Sequence, residues 1–438
     1  MSNSSVKDQS KNSIKIGLLG LGNVGVEVAR ILEEESADLS VRSGAPLEIV
    51  KVGVRDGSKP RPQFSKNLIT QDLQSIVTDP EISIVIEVMG GIEPAHTLIL
   101  TALANKKSVV TANKALLAKH GSELYQAAHE NGVDLYYEAA VAGAIPILRP
   151  LRESIVGDHV TRIMGIVNGT TNYILTKMDE EGADYHQVLK EAQKLGFAEA
   201  DPSADVEGED AAAKLAILAS LAFHSEVRGE DVFCQGISHL TSHDIDIAKA
   251  IGHVIKLLAI AERGNDGQIS VRVHPALIPR SHPLASVRNS FNAVFVEAKS
   301  AGEMMFYGRG AGGEPTASAV LGDLVAIARH ISFGGLGSRE SGYANLAIAP
   351  IGTVFTRYLI RLDVADRPGV LATVANTFAN HKVSIQTVRQ SGRGEDAELV
   401  VMTHAATDKD LSATVASLSE LEIVKKVESV LRVEGVES

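Results

Sequence analysis

The sequence predicts an α/β protein. A doubly wound parallel-sheet domain comes first, an α+β domain follows, and a small β-α-β-β-α-β domain closes the chain. Three observations carry this. Short apolar strands alternate with helix-period segments from Ile14 to Tyr137. A glycine-rich turn, Gly20-Leu-Gly-Asn-Val-Gly25, joins the first strand to the first helix. After Gly352 the periods switch between 2 and 3.6 in the order strand, helix, strand, strand, helix, strand.

Bulk composition narrows the class. With 438 residues, 45% hydrophobic and 22% charged, the chain holds two to four domains and a sizeable core. Its single cysteine, Cys234, excludes an intrachain disulfide framework and suits a reducing cytoplasm. A net charge of -12 argues against a nucleic-acid partner. No run of about 18 uncharged apolar residues exists, so no membrane span is expected. Met1 to Asn12, polar and rich in Ser and Lys, reads as a disordered tail (1–13) and not as a signal peptide.

The N-terminal elements follow in order. Ile14 to Leu19 is a strand, and Val26 to Glu35 carries Val28, Ile31 and Leu32 at helical spacing. Between them Gly20 permits a tight turn, Gly22 lets the backbone approach a pyrophosphate, and Gly25 lets helix and strand pack. With Asn23 and Val24 they open a helix N-terminus, whose N–H groups and dipole favour an anion. This context predicts a Rossmann-type dinucleotide site over 14–145, completed by a helix at about 316–342. The strand Leu47 to Val54 runs into Arg55-Asp-Gly-Ser-Lys59. Arg55 and Lys59 suit the 2′-phosphate of NADP, whereas Asp56 would suit the ribose of NAD, so NAD stays open. Strands Ile82 to Met89, Ser108 to Thr111 and Val133 to Tyr137 alternate with helices Ala95 to Asn105 and Ala115 to Asn131. Lys114 stands at the carboxyl end of a strand, within reach of cofactor or substrate. A lysine in a first helical turn opposes the dipole, which argues for a task. Glu138 to Pro146 is small and apolar. Its carbonyls could face a hard cation, but its residues alone indicate a domain crossing.

The second domain spans 146–315. Val160 to Val167 is a strand, Asn168-Gly-Thr-Thr-Asn172 is a ligand turn or a plain helix cap, and a helix begins at Tyr173. Ala183 to Leu195 is helical; Val271 to Pro275 and Ala293 to Ala298 are strands. Met304 to Gly313 is a glycine-rich turn before a long helix, and Gly312 suits a close phosphate approach. His239, His243, His253 and His282 have no metal-ligand spacing. The most informative stretch is Ala192 to Lys214, where Glu199, Asp201, Asp205, Glu207, Glu209 and Asp210 precede one cation, Lys214. On a helix starting near Gly208, Asp210 and Lys214 are i,i+4 neighbours, and Lys214 shares its face with Leu218 and Leu221. That pair is either a surface salt bridge or a functional lysine on an apolar stripe.

The last domain, 355–438, places strands at Arg357 to Val364, Val383 to Gln390, Ala397 to Thr403 and Val424 to Val433, with helices Val370 to Asn380 and Asp408 to Ser419. This is the ferredoxin-like order. Val364-Ala-Asp-Arg-Pro-Gly-Val-Leu371 and Val383-Ser-Ile-Gln-Thr387 resemble an ACT domain, a regulatory amino-acid-binding module. The resemblance implies an effector at Asp366 and Gly369. A pure dimerisation module is the alternative.

Taken together, Ala192, Gly196-Phe-Ala198, Asp201-Pro202, Asp205-Val206, Gly208, Asp210 and Lys214 resemble the homoserine dehydrogenase signature. Thr111-Ala-Asn-Lys114, Glu138-Ala-Ala-Val-Ala-Gly143, Asn168-Gly-Thr-Thr-Asn172 and Gly310-Ala-Gly-Gly-Glu-Pro-Thr-Ala317 match further family segments, in order. No aspartokinase half accompanies them, so the monofunctional form is the one resembled. The resemblance implies NADP- or NAD-dependent interconversion of L-homoserine and L-aspartate 4-semialdehyde, for threonine and methionine biosynthesis. It implies Lys214 as proton donor, assisted by Lys114; a lysine whose pKa is lowered by burial can serve near neutral pH. It implies Asp210 positioning lysine and substrate, Glu199 on the substrate ammonium, and Asp205 as a further substrate residue. A sodium ion is implied at Glu138, Val141, Gly143 and Ile145. The expected assembly is a homodimer or homotetramer in the cytoplasm, with threonine as effector. An acyl-enzyme dehydrogenase would need a primed cysteine, and Cys234 stands in no such motif. A non-catalytic nucleotide sensor would give no reason for Lys114 and Lys214.

Overall fold

A computed structural model describes residues 13–61, 64–264, 266–338, 342–392 and 397–435. The expected tail at 1–12 lies outside them. The chain forms two compact units, one of residues 1–156 with 309–341, the other of 157–308 with 342–438.

The first unit is a six-stranded sheet. Its strands are β1 (Ile14–Leu19), β2 (Leu47–Gly53), β3 (Ile69–Thr70), β4 (Ile84–Glu87), β5 (Ser108–Thr111) and β6 (Leu135–Tyr136). The order is β3-β2-β1-β4-β5-β6, all parallel. That order reverses direction between β1 and β4, which puts the ligand crevice at their carboxyl ends. Helices α1 (Asn23–Glu34), α2 (Ser36–Ser43), α3 (Gln74–Val77), α4 (Ala95–Ala104) and α5 (Lys114–Asn131) connect the strands. The Gly313–Phe333 helix buries Ala317, Val320, Leu321, Leu324, Ile327 and Ala328, an i,i+3/i+4 stripe. That stripe packs with Val28 and Leu32 of α1 and with Ile14, Ile16 and Leu18 of β1 in one core. Each buried Val, Leu or Ile side chain there contributes about 1.5–3 kcal/mol. A helix from late in the chain therefore completes the first domain. It ends at Phe333, because Gly334 takes a left-handed φ of 83°.

The second unit is built on one 11-stranded sheet. In chain order its elements are β7 (Val160–Ile166), α6 (Gly169–Glu181), α7 (Tyr185–Lys194), α8 (Ser203–Val206), α9 (Glu209–Phe223), β8 (Phe233–Cys234), α10 (Ser242–Ala250), β9 (His253–Arg263), β10 (Ile269–Pro279), β11 (Phe291–Ala298) and β12 (Gly302–Arg309). The C-terminal part adds β13 (Phe355–Val364), β14 (Ile385–Ser391), β15 (Ala397–Thr403), β16 (Ala406–Thr407) and β17 (Val424–Val433), with helices Val370–Asn380 and Asp408–Ser419. The main path is β12-β11-β7-β9-β10-β17-β13-β15-β14. β9 and β10 pair antiparallel along their whole length, from Ile269 opposite Arg263 to Pro279 opposite His253. β9 escaped the sequence reading because the stretch from Val254 to Ala261 is buried throughout, which removes any alternation. β12 occupies most of the stretch read as a turn at Met304 to Gly313; only 310–312 is irregular, and Gly313 already starts the next helix.

The terminal module has the expected order, with Ile360, Leu362, Val374, Phe378, Leu411 and Leu418 in its core. Its last strand, paired antiparallel with β13 from Val424 to Val433, also joins the rest of the sheet through its other edge. β17 pairs parallel with β10, Ala276 opposite Arg432 and Leu277 opposite Val433, and Glu434 N donates to Leu277 O at 2.9 Å. Glu434 is then buried between Arg162 (2.6 Å) and Arg272 (3.1 Å). Burial alone would raise the Glu434 carboxyl, but the two guanidiniums hold it below the usual carboxylate range. Arg432 adds a bond to Asp408 within the module and one to Gln235 Oε1 at 3.0 Å.

Candidate active site

The acidic stretch folds back on α6 through named contacts. Gly196 takes φ 76°, so Phe197 N and Ala198 N both return to Ala192 O at the end of α7. Thr170 Oγ1 donates to Phe197 O at 2.7 Å, and the Phe197 ring lies 5.0 Å from that of Tyr173. Gly208, at φ 90°, then starts α9; a Cβ there would press on Cys234 Sγ.

These constraints build a polar cluster at the carboxyl end of β7. Asn168 caps α6, its Oδ1 accepting from Thr171 N at 2.9 Å. Its Nδ2 donates to Asp205 Oδ1 (2.7 Å) and to Asp210 Oδ2 (2.9 Å). Lys214 Nζ donates to the same Asp210 oxygen at 2.6 Å and to Val167 O at 2.7 Å. Asp210 and Lys214 are each only 9% exposed. The Asp210–Lys214 pair is therefore no surface salt bridge. An ammonium has three donors, and these two bonds use two of them. The third is available to an oxygen on a ligand. Asp210 Oδ2 joins Asn168 to Lys214 and so orients the lysine.

The structure brings Asp205, Asp210 and Lys214 together and leaves Glu199 out. Glu199 is exposed in the loop between α7 and α8, where its carbonyl accepts from Gln193 Nε2. Asn168, read from the sequence as part of a ligand turn or a plain helix cap, joins the cluster through its side-chain amide. Its signal was an Asn immediately after a buried strand and before a helix, which a cap explains equally well. Cys234 is not primed as a nucleophile: its sulfur donates to Glu207 O at 3.2 Å. The thiol is pushed up to about 11, by burial first and then by Glu209 and Glu207.

The first unit carries the cofactor-type site. Gly20 has φ 104°, and a Cβ there would meet Val88 O at 2.8 Å. A Cβ on Gly25 would strike Gly20 O, whereas one on Gly22 would meet nothing within 4 Å. So Gly20 and Gly25 serve packing, and Gly22 leaves open backbone at the N-terminus of α1. Neither side-chain cap nor acid occupies the first turn from Asn23 and Val24. Gly312, at φ 122°, precedes the Gly313–Phe333 helix, and a Cβ on Gly313 would meet Asn23 O at 2.8 Å. Two helix N-termini thus meet at one glycine-lined turn, which fits a pyrophosphate. At the end of β2, Arg55 and Lys59 are exposed. The Asp56 carboxylate turns instead to Ser58, at 2.6 Å from its Oγ, and those bonds hold it below the usual range. Lys114 opens α5 behind the Asn113 cap.

Glu138 is buried and its carboxylate is largely taken up. Ile147 N (2.6 Å) and Leu148 N (2.8 Å) donate to Oε1, and Arg149 N donates to Oε2 at 2.8 Å. Ala142 and Gly143 are both left-handed, at φ 56° and 57°, which turns the carbonyls of 141–145 irregularly. A Cβ on Gly143 would press on Gly310 O. Carbonyl oxygens of Val141, Gly143 and Ile145, with the lone pair left on Glu138 Oε2, suit a hard cation. Elsewhere in this unit, ligand-type atoms of His96, His120 and Glu123 come within 4.8 Å of one another. The two imidazoles stack at 24° between planes, so they do not aim at a common point. In the C-terminal module, Gly369 starts its helix with φ 92°, and Asp366 Oδ1 accepts from Gln390 Nε2 at 3.4 Å.

Comparison with known proteins decides the family. A homoserine dehydrogenase family model matches residues 146–325, the family's NAD-binding domain matches 20–138, and an ACT domain matches 358–423. A homoserine dehydrogenase from Corynebacterium glutamicum is 54% identical over 97% of this chain and 96% of its own. The chain belongs to the homoserine dehydrogenase family. It is an oxidoreductase of that family, with a dinucleotide-binding domain, a catalytic domain and an ACT domain. A solved homoserine dehydrogenase from Thiobacillus denitrificans superposes with a TM-score of 0.92 at 41% identity, covering 97% of this chain and 99% of that one. A hyperthermophilic archaeal homoserine dehydrogenase in complex with NADPH superposes with a TM-score of 0.62 at 28% identity, over 72% of this chain and 98% of that one. A nicotinamide cofactor follows from the dinucleotide-binding domain. No helix among the described residues is long and apolar enough to cross a membrane.

Proposed function

We propose that the chain reduces L-aspartate 4-semialdehyde to L-homoserine, reversibly, with Lys214 as proton donor. The observation that carries this is the buried Asn168–Asp205–Asp210–Lys214 cluster, with one lysine N–H left for a substrate oxygen. A bound NADPH supplies the hydride. Lys214 Nζ hydrogen-bonds the aldehyde oxygen and protonates it as the alcohol forms. Asp210 holds that ammonium in place, and Asp205 takes the substrate's own ammonium. Lys114 orients or assists. Arg55 and Lys59 favour NADP, and Asp56, turned into its own loop, weighs against NAD.

The family resemblance extends the proposal. A monovalent cation, sodium by that resemblance, sits on the Val141, Gly143 and Ile145 carbonyls and Glu138. Threonine binds at Asp366 and Gly369 and feeds back on a cytoplasmic threonine and methionine route. A homo-oligomer is supported by β12, an end strand of the sheet, where Met305 and Tyr307 are 40% and 52% exposed on one face. The three-domain division, 14–145, 146–315 and 355–438, stands on the same footing.

The test is NADPH oxidation with L-aspartate 4-semialdehyde for wild type and Lys214→Ala. Loss of a general acid lowers kcat about 10²–10⁴-fold, with NADPH affinity kept. Wild-type turnover in the variant would remove Lys214 from this role.

A further inference from the structure

Glu87 ends β4 as a fully buried carboxylate in the sheet that carries the dinucleotide site. Such a group is costly to bury unless donors surround it. They do. Met89 N (2.8 Å) and Gly90 N (3.1 Å) donate to Oε1, and Thr111 Oγ1 donates to Oε2 at 2.6 Å. Thr111 Oγ1 in turn accepts from Asn113 N at 3.1 Å, and Asn113 Nδ2 donates to Gly91 O at 2.6 Å. A closed ring of hydrogen bonds therefore ties the turn after β4 to the turn after β5. Gly90 and Gly91 hold φ 73° and 78°, and a Cβ on Gly90 would meet nothing within 4 Å. The backbone of the first turn is thus bent by Glu87 and open above. The second turn runs directly into Lys114.

In this strand order the acid-or-base position for the adenosine ribose lies at the end of β2, in the first half of the sheet. β4 and β5 belong to the second half, which takes the nicotinamide end. We infer that Glu87 is the positioning residue for the nicotinamide half of the cofactor site, acting through the Gly90–Gly91 turn and the Thr111–Lys114 turn. This rests on the dinucleotide reading of the first unit and not on the role of Lys214. Burial holds the Glu87 carboxyl above its ordinary range, although the Thr111, Met89 and Gly90 donors oppose that rise. A glutamine there keeps one acceptor but turns its NH₂ toward Thr111, leaving the threonine O–H without its acceptor.

The experiment is calorimetric titration of NADPH and of ADP-ribose, which has the adenosine and pyrophosphate but no nicotinamide. It uses wild type, Glu87→Gln and Thr111→Val, with thermal unfolding of each. The expected result is NADPH binding weakened about tenfold in both variants, the size of a lost charge-assisted hydrogen bond. ADP-ribose binding stays within about twofold of wild type, because the lost hydrogen bond disturbs the nicotinamide half alone. Equal weakening of both ligands would show a general loosening of the domain and overturn the assignment, as would unchanged NADPH binding. A wild type that binds neither ligand would defeat the dinucleotide reading and Glu87's role with it. Kinetically, the variants raise KM for NADPH, while Lys214→Ala lowers kcat, so the two failures are separable.

Discussion

Asn168→Ser isolates the bridge from the cap. Serine caps a helix about as well as asparagine, so the Thr171 N–H keeps an acceptor. What is lost is Nδ2, which joins Asp205 Oδ1 at 2.7 Å and Asp210 Oδ2 at 2.9 Å. Removing a hydrogen bond to a buried charged group costs about 1.5–3 kcal/mol. Asp210 is buried, so it carries that cost. Asp205 is only half-buried, and water replaces its partner. The working figure is about 2 kcal/mol, or roughly 30-fold in kcat/KM if Asp210 must hold Lys214 in the transition state. The assay is NADPH oxidation at varied L-aspartate 4-semialdehyde. Asn168→Ala loses the cap as well, about 1 kcal/mol more, so its unfolding midpoint falls about 2–4 °C below that of the serine variant. If Asn168→Ser stays within about twofold of wild type in kcat/KM, the bridge does not organise the site.

Three further outcomes are expected. Gly22→Ala leaves the unfolding temperature unchanged but weakens NADPH binding, since its Cβ meets only open space, while Gly25→Ala also destabilises the fold by pressing on Gly20 O; differential scanning and titration separate them. His274 is fully buried and its imidazole is lowered to about 3, by burial first and then by Arg432. The unfolded chain therefore binds a proton below the usual value of 6.5 that the folded chain refuses, so stability is full above that pH and falls as pH drops toward 3. At a pH one unit below the ordinary histidine value the loss is about 1.4 kcal/mol, and denaturant melts of His274→Gln should lack this slope; an identical slope in both proteins would contradict it. Asp366→Ala should abolish threonine inhibition with kcat unchanged, measured by inhibitor titration. A point variant is needed here. Cutting the chain near Gly352 would strip Glu434 from Arg272, which is only 1% exposed, and remove the β17 partner of Ala276 and Leu277 on β10.

Much of the dinucleotide site was readable because its signal is local. Gly20, Gly22 and Gly25 act within six residues, through φ and close backbone approach, and strand-turn-helix context is visible in a short window. The C-terminal order was readable for the same reason: Tyr358, Ile360, Leu362 and Val364 alternate along one sheet face. β9 was not, since a strand covered on both faces shows no period. Glu87 was passed over as one acid in an apolar strand, and only its ring of donors explains it. Lys214 was suspected from its place beside Leu218 and Leu221, but spacing could not tell a buried lysine from a solvated one.

The sequence by itself determined the main element order of the first and last domains, the glycine turns, the Asp210–Lys214 neighbourhood on one helix and the family. These depend on local backbone geometry and on helical and strand periods, which any stretch of chain carries with it. Tertiary structure decided which distant groups share a site. Asn168 reaches Asp210 across 42 positions in the chain, the Gly313–Phe333 helix returns to close the first core, and β17, paired with β13 on one edge, also pairs with β10 on the other. Those choices follow from burying apolar faces against one another and from giving Asp210, Glu434 and Glu87 partners away from water, and neither requirement is written at any single position.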